Sequence, residues 1–400
     1  MTDLFWPGDH RAGDVMSDVA FLTAMAGVEN AWLGVLIDAG VAPTTARADL
    51  TSLVSATDVE TIACGAEADG NPVIGLLTLL RQRAGDRAAE WLHRGLTSQD
   101  VIDTAVMLCL RDALSRIRSD IKAQVRTLAD LTQTHQRTPM LARTLTQAAL
   151  PSTIGMKMAS WLTGVLDASD TVAAMPALPV QAGGAAGTMA AVTELTGSPN
   201  EALGMSDALA DGLGLAAASP WHTTRSVITR AGDALVTCCD AWGHIATDVA
   251  TASRSEIGEM AEGRGGGSST MPHKNNPVLS ILIRRAALAA PGMAATLHVA
   301  SAASVDERAD GGWHTEWATL RTLTRRTVVA AAQTTELING LHVDSERAAA
   351  NLAAVGDLLA EQRTMAELTG RAALSDYTGA ADHLIDAALQ RARHHLKETT

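Results

Sequence analysis

The chain has 400 residues, a formal net charge of −13 and only 3% aromatic residues, against 47% apolar ones. An acidic surface excludes nucleic-acid binding, which needs converging Lys and Arg, while the apolar fraction supplies a large core rich in Ala and Leu that suits helices. Cys64, Cys109, Cys238 and Cys239 show neither CxxC nor framework spacing, so reduced thiols in a cytoplasm are expected.

The opening MTDLFWPGDH carries neither a basic n-region nor an apolar h-region. Residues 1–90 hold short helical patterns. In HRGLTSQD (93–100), Thr97 and Asp100 stand at capping-box spacing. Behind them Met107, Leu110, Leu114, Ile117, Ile121, Val125, Leu128 and Leu131 recur at the three-and-four spacing of a buried helix face. They predict a helix to Gln136, about 55 Å long at 1.5 Å per residue. ARTLTQAALP (142–151) breaks that pattern, and a second helix follows Pro151 through Met156, Trp161 and Val165. A third is expected from the Ser219-Pro220 cap to Glu262. GRGGGSSTMPHKNNP (263–277) intervenes before a fourth helix after Pro277. The best membrane candidate, 286–304, is interrupted by Pro291, Gly292 and His298 and is expected to fall short of a span. A fifth helix covers Trp313 to Ile338. No strand alternation persists and no repeat occurs. The expected fold is all-α, with a long central helix bundle over 91–340 and small helical caps at 1–90 and 341–400.

The stretches 93–100, 142–151 and 263–277 each precede or join a long helix. Helix N-termini expose unpaired amides and a positive dipole end, so three of them meeting would form a carboxylate pocket. The glycine loop is not a P-loop, since GxxxxGK[ST] is absent, and no GxSxG or HExxH occurs. No catalytic metal is expected. A flexible loop that brings Ser268 close to Lys274 suits proton abstraction by serine.

Residues 267–277, GSSTMPHKNNP, resemble the GSSxMPxKxNP signature of the fumarase/aspartase superfamily, matching at Gly267, Ser268, Ser269, Met271, Pro272, Lys274, Asn276 and Pro277. HRGLTSQDVIDTA (93–105) resembles adenylosuccinate lyases too, but with Gln99 it more closely resembles the branch acting on 3-carboxy-cis,cis-muconate. DERADGGWHTEW (306–317), PVQAGGAAGT (179–188), PWHTTR (220–225) and GNPVIGL (70–76) also resemble that branch. The resemblance implies an L-aspartase-like fold and a homotetramer whose active sites are shared between subunits. It implies a small tricarboxylate substrate, no cofactor, and no nucleic-acid or membrane partner. The implied chemistry is proton abstraction next to a carboxylate with β-elimination, or the reverse addition, here lactonisation to 4-carboxymuconolactone in protocatechuate breakdown. Ser268 is then the base, and Lys274 and Asn276 hold substrate carboxylate or the aci-carboxylate intermediate. Thr97, Ser98, Gln99, Arg143, Thr144, Gln147, His93, Arg308 and His314 join them as substrate-binding residues.

Three positions depart from that pattern. Leu145 stands in Arg143-Thr144-Leu145-Thr146-Gln147, where fumarases, argininosuccinate lyases and adenylosuccinate lyases have histidine and the cycloisomerases tryptophan. A carboxylate leaving group, with a parent acid pKa near ~4, departs without an imidazole. Asn275 replaces a common arginine, a cation that would meet one of three substrate carboxylates. After Gly370-Arg371 the usual Ala-His pair is missing. An adenylosuccinate lyase is the enzyme alternative, opposed by Leu145 and by residues 306–317. An inert structural member is the other, opposed by intact Ser268, Lys274 and Asn276.

Overall fold

The computed structural model describes residues 3–271, 274–308, 310–374 and 376–398, so Pro272 of the loop signature lies outside the described residues. Among the described residues the chain is all-α apart from two small antiparallel pairs. Helix α1 (Asp18–Asp38) starts where the Ser17 hydroxyl accepts the Ala20 amide at 3.1 Å. Short helices α2 (Val59–Asp69), α3 (Val73–Arg83) and α4 (Asp86–Trp91) lead to α5 (Ser98–Thr134). Its buried positions Met107, Leu110, Leu114, Ile117, Ile121, Val125 and Leu128 are those the periodicity marks.

Residues 142–151 were expected to join a helix without strands, and here the structure corrects the sequence. They lie in a hairpin of β1 (Pro139–Thr144) and β2 (Gln147–Thr153), paired from Pro139 with Thr153 to Thr144 with Gln147. The two tip residues, Leu145 and Thr146, have φ of 48° and 71°. Positive φ at both central positions is the geometry that matches strand twist in a two-residue loop. Helix α6 (Ile154–Ala173) follows, its Met156 amide capped by the Thr153 hydroxyl at 3.1 Å. Then come α7 (Ala190–Thr196) and α8 (Pro199–Leu213).

The third long helix, α9 (Ser226–Ala252), begins later and ends earlier than the expected 219–262. Residues before it are held elsewhere: the Trp221 amide donates to Gln181 Oε1 and its indole to the Val180 carbonyl, both at 2.8 Å. Those bonds fix an extended path that a helix from Pro220 would break. Strand β3 (Met260–Ala261) pairs with β4 (His342–Val343). Between them run α10 (Val278–Ala302) and α11 (Gly311–Asn339), close to the predicted spans. Pro291 sits inside α10 without ending it, contrary to the expected interruption, so α10 joins α1 as long and apolar enough to cross a membrane. Helices α12 (Ser345–Ala353), α13 (Ala360–Thr369) and α14 (Ala381–Glu398) complete the chain.

The chain divides into two compact units. One comprises residues 1–116, 175–233 and 292–326, the other 117–174, 234–291 and 327–400. The first is centred on Trp32, Leu33 and Leu36 of α1, Leu76 and Leu80 of α3, Val101 and Ile102 of α5 and Leu209 of α8. Each fully buried aliphatic side chain stabilises such a core by roughly 1.5–3 kcal/mol. In the second unit, α6 packs on α14. There the Trp242 indole donates to Gln124 Oε1 at 2.8 Å, and Gln124 Nε2 donates to the Ala331 carbonyl at 3.0 Å. One buried amide thereby ties α5, α9 and α11 in register.

Candidate active site

In the first unit the TSQD segment is organised around Asp100, which is fully buried. Its carboxylate accepts the Thr97 amide, the Gly183 amide and the Gly184 amide, each at 2.9 Å, and His222 Nε2 lies 2.9 Å away. One carboxylate therefore fixes the start of α5 against the glycine turn of PVQAGGAAGT. That turn needs glycine, because a Cβ on Gly183 would fall 2.5 Å from the His222 ring. One helical turn on, Asp103 takes both terminal nitrogens of Arg225 at 2.7 and 2.9 Å and the Trp313 indole at 2.9 Å. Arg225 also reaches Glu316 at 2.7 Å. Burial works against the Arg225 charge, and the two carboxylates overcome it and hold its pKa up; burial pushes Glu316 up. Breaking a buried pair of this kind costs about 3–5 kcal/mol, because it strands an uncompensated charge.

The predicted residues in this unit occupy different environments. Gln99 is fully buried, its amide on the His222 carbonyl at 2.8 Å and on Asp103 at 3.2 Å. Thr97 is buried and Ser98 half-buried. His93, with φ of 63°, puts Nδ1 2.6 Å from the buried Glu29 carboxylate. His314 places its two ring nitrogens 3.0 and 2.9 Å from the carbonyls of Asp310 and Gly70, which holds the GNPVIGL turn. Arg308 is exposed on the turn before α11.

The second unit carries the glycine loop and the β1–β2 hairpin. Ser268 Oγ accepts the Met271 amide at 3.1 Å and the Thr270 amide at 3.4 Å. Two amides aimed at a hydroxyl oxygen favour its anion. Asn276 donates its side-chain amide to the carbonyls of Gly266 and Gly267 at 3.3 and 3.2 Å, and its backbone bridges Gly266. Lys274 is exposed. Asn275 lies against Gly265, where a Cβ would come within 1.6 Å of its Oδ1. On the hairpin, Thr144 and Gln147 are exposed beside the tip, and Leu145 is 96% exposed. Arg143 is turned away to Glu259, a carboxylate 3% exposed, at 2.8 and 3.1 Å.

Two of the three helix N-termini that the sequence marked for an anion are already occupied. The α10 amides of Leu279 and Ser280 already donate to Glu262 at 3.0 and 2.7 Å, and α6 is capped by Thr153. A carboxylate and a hydroxyl of the chain itself fill those ends. Glu259, Glu262, Asp103 and Glu316 were not marked by sequence reasoning. The available signal was acids beside otherwise apolar stretches, as with Asp103 near Val101, Ile102 and Ala105.

A family model described as a lyase matches residues 48–292, more than half of the chain. The chain belongs to the fumarase/aspartase superfamily. Within the superfamily it is 42% identical over 367 residues to a nitrosuccinate lyase of Streptomyces davaonensis, covering 88% of the chain and 77% of that protein. It is 37% identical over 353 residues to a 3-carboxy-cis,cis-muconate cycloisomerase of Bradyrhizobium diazoefficiens, covering 85% and 76%. The solved 3-carboxy-cis,cis-muconate lactonizing enzyme of Pseudomonas putida superposes with a TM-score of 0.83 at 28% identity, over 96% of this chain and 97% of that one. With a lyase family model and relatives and neighbours named as lyases and cycloisomerases, the chain is an enzyme of this superfamily.

Proposed function

We propose that the chain catalyses serine-initiated β-elimination, or the reverse addition, next to a carboxylate, with a leaving group that departs as a weakly basic anion. The reading is carried by Ser268, whose Oγ already receives two backbone amides. Those donors stabilise the alkoxide that must take the proton from carbon. Lys274 then neutralises the charge that collects on the substrate carboxylate. Thr97, Ser98, Gln99, Thr144, Gln147, Asn276, His93, Arg308 and His314 line or support the substrate site. We take the enzyme to be a homotetramer with sites shared between subunits. Ile281, Leu288 and Val299, 50%, 80% and 70% exposed along α10, are the apolar surface such an assembly would cover.

Leu145 defines the leaving group. With no imidazole at the hairpin tip to protonate it, a weakly basic leaving group fits best, which suits both a lactone carboxylate and a nitro group expelled as nitrite. Asn275 favours the second. A neutral amide folded against Gly265 offers no cation to a third carboxylate, so a substituted succinate fits better than a tricarboxylate. The 42% identity to a protein named nitrosuccinate lyase points the same way. Lactonisation of 3-carboxy-cis,cis-muconate is the second reading, supported by the resemblance of residues 93–105 and 306–317 and by the cycloisomerase relatives.

Purified protein offered nitrosuccinate, 3-carboxymuconate and adenylosuccinate separately, followed by ultraviolet absorbance and a nitrite assay, tests both. Nitrite released in step with fumarate supports the first reading, and muconate consumption alone moves the assignment to the second. Cleavage of adenylosuccinate alone would overturn the leaving-group argument.

A further inference from the structure

We propose that Arg143 and Glu259 form a strut that sets the position of the Ser268 loop, which makes Arg143 a positioning residue and not a substrate ligand. The inference rests on Ser268 acting as the base. Arg143 is the last residue but one of β1, two positions before the Leu145 tip. Its guanidinium meets Glu259 with two hydrogen bonds, Nη2 to Oε1 at 2.8 Å and Nη1 to Oε2 at 3.1 Å. A planar fork filled on both prongs by one carboxylate has its strongest recognition geometry already spent. A third bond, from Nη1 to the Leu141 carbonyl at 3.3 Å, ties the same nitrogen back to its own strand.

Glu259 stands immediately before β3, the stem from which the glycine loop leaves. Its Oε1 also accepts the Asn351 side-chain amide of α12 at 2.8 Å, and its backbone carbonyl accepts the Asp344 amide at 3.0 Å. One buried carboxylate thus joins the hairpin, the loop stem and the start of the C-terminal helices. Four residues further, Gly263 is pressed against Gly340, where a Cβ would fall 2.5 Å from the Gly340 carbonyl oxygen. Glu262, at the near end of the loop, accepts the Leu279 and Ser280 amides of α10 and so ties the two ends of the loop together. Moving the hairpin against the stem therefore requires breaking the Arg143 fork, the side-chain contact that joins the two. A strut of this kind transmits the hairpin's position to Ser268 without touching substrate.

A mutant cycle tests it, with Arg143→Gln, Arg143→Lys, Glu259→Gln and the double Arg143→Gln/Glu259→Gln. Two readouts are taken: steady-state kinetics, and the rate at which trypsin nicks the exposed Arg264 in the folded protein, followed by mass spectrometry. A strut predicts that each single change lowers kcat about tenfold with KM within about threefold, and that the double is no worse than the worse single. Nicking at Arg264 should rise about fivefold in all of them, because it follows the opening of the stem. A rise in KM of about tenfold or more in the Arg143 variants, with nicking unchanged, would make Arg143 a ligand and end the proposal. Losses that multiply in the double would end it too. Should Glu259→Gln fail to fold, the Arg143 variants decide by nicking alone, faster supporting the strut and unchanged refuting it. If the wild type turns over none of the offered substrates, the functional reading falls while the nicking cycle still decides the strut.

Discussion

A serine hydroxyl takes a proton at neutral pH only where donors and cations hold its anion, and the donors at Ser268 Oγ are backbone amides from Thr270 and Met271. Ser268→Ala removes the proton carrier from a half-buried loop position and leaves those amides to solvent. Turnover should drop by about 10²–10⁴-fold, the usual worth of a general base. Far-ultraviolet circular dichroism and sedimentation should not change, and near-normal turnover in a folded variant would show that another group is the base. At position 145 the side chain is 96% exposed with φ of 48°, so Leu145→His costs the fold nothing: left-handed backbone suits histidine better than leucine. We expect no gain in elimination and no new titration near neutral pH. A tenfold rise carrying such a titration in the pH–rate profile would mean that proton delivery to the leaving group limits the wild type.

At the scale of elements, the junction between α5 and α6 rests on contacts that a single methyl would break. The Gly155 amide donates to the His135 carbonyl at 2.8 Å, and a Cβ on Gly155 would stand 2.5 Å from Gln136 Cα and 2.7 Å from the His135 carbonyl oxygen. These are backbone atoms and cannot swing aside. Gly155→Ala should therefore destabilise by about 1–3 kcal/mol, read as a lower denaturant midpoint at constant slope. The same junction responds to pH. Burial lowers the His135 pKa below 6.5, so as pH falls through 6.5 the unfolded chain binds a proton that the folded chain refuses. Its contribution to stability is complete above pH 6.5 and is lost below it. Melting temperature should decline from pH 7 to pH 5 less steeply in His135→Asn than in the wild type, and equal slopes would remove His135 as the cause.

For the whole molecule, the exposed apolar stripe of α10 demands cover, and sedimentation equilibrium should give a tetramer at assay concentration. An active monomer would defeat a site shared between subunits. Much of the chain was readable beforehand. Helix α5 follows from apolar residues repeating every three or four positions, because a helix buries one face and that face must be apolar wherever it packs. The Ser268 loop was legible for the opposite reason: glycines, serines and prolines in one run satisfy no regular element. The β1–β2 hairpin was not, since Leu145 and Thr146 adopt positive φ without the Gly, Asn or Asp that normally announces such a turn. Nor was the true start of α9, which hydrogen bonds from Trp221 to Val180 and Gln181 delay. The pairing of Arg143 with Glu259, 116 positions apart, and of Asp103 with Arg225, 122 apart, belongs to tertiary structure alone. Hydrophobic periodicity is a local property of the chain, whereas the partner of a buried charge is chosen by whichever distant segment folding brings within three ångströms.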